Sequence, residues 1–147
     1  MGGEENMTLS DIYNAILAKV NTLTGQTYVL DRNPQKNFSE GHAGTYRFLR
    51  PASVEKERRS QGVPESRITV QVGIMQMSSK ASDMAAAEDE LDALINSLLR
   101  TAQIGDNLIV YAASTEPASG QYLDADALDA EVPFIEATAN IAMRGYY

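Results

Sequence analysis

EVPFIEATANIAMRGYY, residues 131–147, alternates apolar and polar side chains from Ile135 onward. Ile135, Ala137, Ala139, Ile141 and Met143 recur at every second position, with Glu136, Thr138, Asn140 and Arg144 between them. A two-residue alternation of this kind is the mark of a strand with one buried face. Extended at about 3.3 Å per residue, positions 135–147 would run about 43 Å. A compact domain of this size is about 40 Å across. The strand therefore crosses the whole subunit, and something must hold it, either a central sheet or a neighbouring subunit. Tyr146 and Tyr147 stand at its end, and tyrosine is favoured at interfaces.

Working backwards, NLIVYAA at 107–113 reads as a short apolar strand, and STEPASGQYLDADALDA at 114–130 as a loop or interrupted strand. SDMAAAEDELDALINSLLRTAQIG at 82–105 is the clearest helix. Met84, Ala87, Leu91, Leu94, Leu98 and Ala102 form its apolar stripe, while Glu88, Asp89, Glu90 and Asp92 lie outside it. Ser82 is the expected N-cap and Gly105 the expected stop. In RITVQVGIMQM at 67–77, Ile68, Val70, Val72 and Ile74 share a face, and then Met75 and Met77 become the apolar pair. A bulge near Gly73 would account for that change of parity.

TYRFLRP at 45–51 is a strand ending at Pro51, and ASVEKERRSQGVPES at 52–66 a charged hairpin loop, mobile in an isolated subunit. Tyr28 to Leu30 is a candidate short strand, and Asn33-Pro34, Gly41 and Gly44 mark a loop. TLSDIYNAILAKVNTLTG at 8–25 is an amphipathic helix. Thr8 and Asp11 resemble a capping box, Leu9, Ile12, Ile16, Val20 and Leu23 make the stripe, and Gly25 closes the end. Residues 1–6 are expected to be disordered and 7–147 to form a single α+β domain. Its sheet would be mostly antiparallel, of four or so strands, with two helices on one face and a long charged hairpin loop.

At 147 residues and 44% hydrophobic, the chain can bury one core. It contains no cysteine, which removes disulfides, thiolate nucleophiles and cysteine-ligated zinc. No run of about 18 apolar residues suggests a spanning helix. No phosphate-loop, dinucleotide, nucleophile-elbow or zincin motif occurs. His42 is the sole histidine and sits in SEGHAGT, a glycine-rich loop that would position a base poorly. DADALDAE carries Asp124, Asp126, Asp129 and Glu131, yet Asp129 and Ile135 stand where a calcium loop needs glycine and glutamate. The residues thus give no reason to expect a catalytic set, a metal or a cofactor.

The net charge of -8 is unevenly spread. Positions 32–67 hold eight basic and four acidic residues, whereas 81–147 hold twelve acidic residues against Arg100 and Arg144. Such a split fits either a solvation pattern or complementary faces for head-to-tail assembly. Lys56, Arg58 and Arg59 in the charged loop are candidate partner contacts. Glu55 and Glu57 beside them, and the lack of interleaved aromatics, argue against nucleic-acid binding.

Taken together, MAAAEDELDALINSLL, NLIVYAA, an acidic turn and VPFIEATANIAMRGYY resemble in layout the tail terminator, or tail completion, proteins of long-tailed bacteriophages. The N-terminal helix, the middle hairpin and the chain length agree with that resemblance. It implies a non-enzymatic virion protein, made in the bacterial host cytoplasm and placed at the head-proximal end of the tail. It implies a hexameric ring that caps the tail tube, ends tube polymerisation and offers a docking face to the head-tail connector or neck. Genomic DNA would pass through the ring without sequence-specific contact. Another connector or tube component is the neighbouring reading. A monomeric enzyme or small-ligand module using the acidic loop is the reading from a different class.

Overall fold

In a computed structural model of the chain, the residues described are 8–41, 44–58, 62, 64–101, 103–104, 108–125 and 130–146. Expectations for residues 1–6, His42, Arg59, Ala102, Gly105, Asp126, Asp129 and Tyr147 lie outside them. The elements run α1 (Leu9–Thr24), β1 (Val29–Leu30), α2 (Pro34–Gly41), β2 (Thr45–Glu57), β3 (Glu65–Gln76), α3 (Ala81–Arg100), β4 (Ile109–Ala125) and β5 (Ala130–Tyr146). The fold is α+β. Its five-stranded sheet has the order β1-β2-β3-β5-β4. Every pairing is antiparallel except β1 with β2, so the sheet is mixed.

The terminal strand is the spine of this sheet. β5 pairs with β3 from Gln76↔Ile135 to Glu65↔Tyr146, and with β4 from Ala125↔Ala130 to Ile109↔Arg144. The sheet therefore holds it on both sides. Ile135, Ala137, Ala139, Ile141 and Met143 are all buried in the main core. They face α1 and α3 with Ile68, Val70, Val72 and Ile74 of β3. The two long helices lie on one side of the sheet, as their stripes require. Ile12, Ile16 and Val20 of α1 meet Leu91, Leu94 and Leu98 of α3 there.

Thr8 accepts from the Asp11 amide and Asp11 from the Thr8 amide, each at 3.1 Å, which completes the capping box. Gly25, at φ 68, is the left-handed close of α1. At α3 the expected cap is corrected. Lys80 is the N-cap, without a side-chain cap bond, and Ser82 lies inside the helix, which ends at Arg100 with Thr101 as C-cap.

Further corrections share one cause, which is that the other side of the sheet is also used. No register shift occurs at Gly73 in either of its pairings, so there is no bulge there. The parity change instead marks a second small core on the opposite face, formed by Phe38, Phe48, Met75 and Phe134. The stretch 34–41, expected as loop, is α2, a third helix, and its Phe38 closes that core. Gly73 has to be small because an added Cβ would lie 2.3 Å from the Phe48 ring.

The charged loop is also shorter than expected. β2 continues past Pro51 to Glu57, with a register shift between Pro51 and Ser53, and β3 begins at Glu65. Backbone pairing carries these rungs although their side chains lack alternation. Likewise β4 runs through most of 114–130, with irregularities at Val110/Ala112 and Glu116/Ser119 in place of a break.

Candidate interface at the hairpin end of the sheet

Strand parity gives the sheet a helix side and an open side. On the open side, adjacent strands place residues in rows. One row reads Ser53, Thr69, Ala142, Ala112, and another reads Arg50, Gln71, Asn140, Ser114. A third reads Glu55, Arg67, Arg144, Ile109, and the last reads Glu57, Glu65, Tyr146. α2 and its aromatic core cover only the end near Phe48 and Met75. Towards the β2–β3 turn, no described helix lies over the open side.

This arrangement gathers sequence-predicted residues that are far apart in the chain. Lys56 pairs with Ser66, whose other neighbour is Gly145, and Glu57 pairs with Glu65, whose other neighbour is Tyr146. Lys56, Arg58 and Tyr146 therefore share one end of the sheet, and all three are exposed. Tyr146 is 51% exposed and its hydroxyl donates to Glu65 Oε2 at 3.4 Å. Arg59 and Tyr147 fall outside the described residues.

The same end holds residues that the strand pattern alone did not single out. Arg67 and Arg144 lie directly opposite one another on β3 and β5. Like charges across a strand pair are unfavourable. Arg67 Nε is buried and has no hydrogen-bond partner, and its ion pair with Glu65 is long, at 3.6 Å. Arg144 places its guanidinium carbon 5.6 Å from the centre of the Tyr111 ring, a cation–π contact. Tyr111 and Ile109 are 45% and 48% exposed. A cross-strand comparison of 67 with 144 would have found the arginine pair, but it needs the register.

A different cluster is structural. Glu90 of α3 accepts from Arg47 Nε at 2.7 Å, Arg47 Nη2 at 2.8 Å and the Tyr28 hydroxyl at 2.5 Å. Burial raises the Glu90 pKa, but the hydrogen bonds from Arg47 and Tyr28 outweigh it and hold the carboxyl below its ordinary value. Burial, and then the bond to Glu90, push the Tyr28 phenol well up. These groups fasten α3 to β2 and to the segment after α1. Asp31 does the same beside α2, accepting from the Asn33 amide at 2.8 Å, from Asn37 Nδ2 and from the Tyr46 hydroxyl. Both sets are saturated by the protein's own donors, so they anchor elements rather than offer a reactive group. Among the described residues, no three His, Cys, Asp or Glu side chains converge as a metal site. No described helix is long and apolar enough to cross a membrane.

No protein-family model matches the chain, and no curated protein sequence matches it. Solved structures do. A chain from the virion of a native gene transfer agent particle superposes with a TM-score of 0.52 at 13% identity, covering 92% of both chains. The sheath/tube terminator of PVC, an extracellular contractile injection system, in its extended state superposes with a TM-score of 0.51 at 10% identity. That match covers 94% of this chain and 57% of the other. At such identities the likeness is one of architecture: the chain shares its fold with a sheath/tube terminator and with a gene transfer agent virion chain, the class of fold to which its sequence layout pointed.

Proposed function

We propose that this protein is a structural component of a phage-type tail, which assembles as a ring on the tail tube, ends tube polymerisation and presents its far face to the head-tail connector or neck. The observation that carries this reading is the fold, shared over nearly the whole chain with a tube terminator. The open sheet side supports it, because exposed Arg144, Ile109, Tyr111 and Tyr146 gathered at one end of the sheet are suited to a protein contact. A ring needs heterologous contacts, in which two different surfaces of one subunit meet. The chain has such surfaces in its acidic helix layer and its open sheet side. Its role is mechanical, and no reacting group is required. Six subunits is the expected closure, with DNA passing through the lumen without sequence readout.

Sedimentation at rising concentration, alone and with polymerised tubes, tests the ring. The expected result is a single closed species several times the 16.0 kDa subunit. A subunit that stays monomeric in both conditions would contradict the reading.

A further inference from the structure

We infer that the open sheet side of one subunit receives the outer face of α3 from a second copy of this chain, and that this is the contact which closes the ring. The inference rests on the ring reading above and names its two surfaces.

The first surface is the open side between the α2-covered end and the β2–β3 turn. Thr69, Ala112, Ser114, Asn140 and Ala142 on it are small or short and line a shallow depression beside the longer Arg50 and Gln71, which can admit a rigid rod. Arg67 and Arg144 oppose each other on it; Arg67 faces Glu55 on its other side and makes only a long ion pair with Glu65, at 3.6 Å, and Arg144 rests on the Tyr111 ring. Arg67 Nε is buried without a hydrogen-bond partner, and Arg144 makes no ion pair among the described residues. An incoming carboxylate would relieve the like-charge pair.

The second surface is the rod. α3 buries Ala87, Leu91, Leu94, Ile95 and Leu98. Its helical period therefore turns Ala85, Asp89, Asp92, Ala93 and Asn96 outward, and all five are exposed. Asp89 and Asp92 form no ion pair among the described residues. Leu99, 46% exposed, adds an apolar contact at the helix end, as Ile109 and Tyr111 do on the sheet. Asp89 and Asp92 on the entering side suit the Arg67–Arg144 pair on the receiving side, which Glu55, Glu57 and Glu65 flank.

Geometry makes the contact directional. α3 covers the helix side of its own sheet, so its outer face and the open sheet side look in opposite directions from one subunit. Placing one on the other joins head to tail and leaves both end surfaces free to repeat the contact. Closure then depends only on the rotation per step.

Charge exchange tests it. One variant carries Asp89→Lys and Asp92→Lys, a second carries Arg67→Glu and Arg144→Glu, and a third carries all four. The inference predicts that each two-site variant needs at least about tenfold more protein to assemble, and that the four-site variant returns to within about threefold of wild type. Circular dichroism melts report folding. Because the chain has no cysteine, Ala93→Cys with Ala142→Cys supplies a second readout. Oxidation should give a ladder beyond dimers, which neither single variant gives. Rings that form normally in both two-site variants, a four-site variant that does not recover, or the absence of a ladder would overturn this contact while leaving the ring standing. A wild-type protein that never assembles, with or without tubes, would overturn both.

Discussion

Gly73 sits in a tight place. It faces the Phe48 ring across β2 and β3, where an added Cβ would sit 2.3 and 2.5 Å from two ring carbons. Gly73→Ala must therefore displace the ring that closes the second core. The expected cost is about 1–3 kcal/mol, read as a lowered urea midpoint at unchanged slope. In a Phe48→Leu background the same change should cost clearly less, because the two sites share one contact. Glu90 gives the residue-scale pH prediction. Its carboxyl is held below its ordinary 4.5 in the folded protein. A depressed acid stabilises the fold above the unfolded pKa, and that stability is lost as pH falls through the folded value. Glu90→Gln should thus lower stability at about pH 7 and matter much less at about pH 3, so that the acid limb of the stability curve flattens. Equal loss at both values would mean that packing, not the ion pair with Arg47, is what Glu90 supplies.

At the scale of elements, α2 is the part held most locally. Its described packing is the aromatic core of Phe38, Phe48, Met75 and Phe134, and its other fastening is Asn37 on Asp31. Phe38→Ala should cost about 3 kcal/mol. Amide exchange should show protection lost across 34–41 while β5 stays protected, and uniform loss across the sheet would refute this division into two cores. The same element shows where sequence reading stopped. β5 and α3 were legible because a strip of one period faced one core. α2 was not, because its eight residues hold a single large apolar side chain and start at Pro34, which reads as a turn. The Met75 and Met77 parity shift recorded the second core, yet it could not be told from a bulge without a partner strand in view. The far rungs of β2 and β3 were missed because Glu55, Lys56 and Glu57 carry charge on both faces, so no apolar alternation marks the paired backbone. For the candidate interface, Lys56, Arg58 and Tyr146 were legible as exposed charge and aromatic residues. Their meeting at one end, and the opposition of Arg67 to Arg144, depend on register, which no local pattern states.

Across the whole molecule, the uneven charge of the chain is sorted by face only in part, since Glu55, Glu57 and Glu65 share the open side with Arg67 and Arg144. The acidic second half supplies the outer face of α3, while β3 and the end of β5 supply the arginines of the open side. Assembly driven by these faces should weaken as salt rises, because exposed ion pairs are screened. Raising salt from about 0.05 M to about 0.5 M should move the assembly midpoint to higher concentration, and a salt-independent midpoint would assign the contact to apolar burial instead. The function proposed for the protein is to stop tubes. Electron microscopy of tubes polymerised from their own tube protein, with and without this chain, measures that directly. A ring of density at one end of each tube is expected, with a length distribution that shortens and sharpens as the chain is added. Tubes of unchanged length with bare ends, at concentrations where the chain is present in excess, would contradict it.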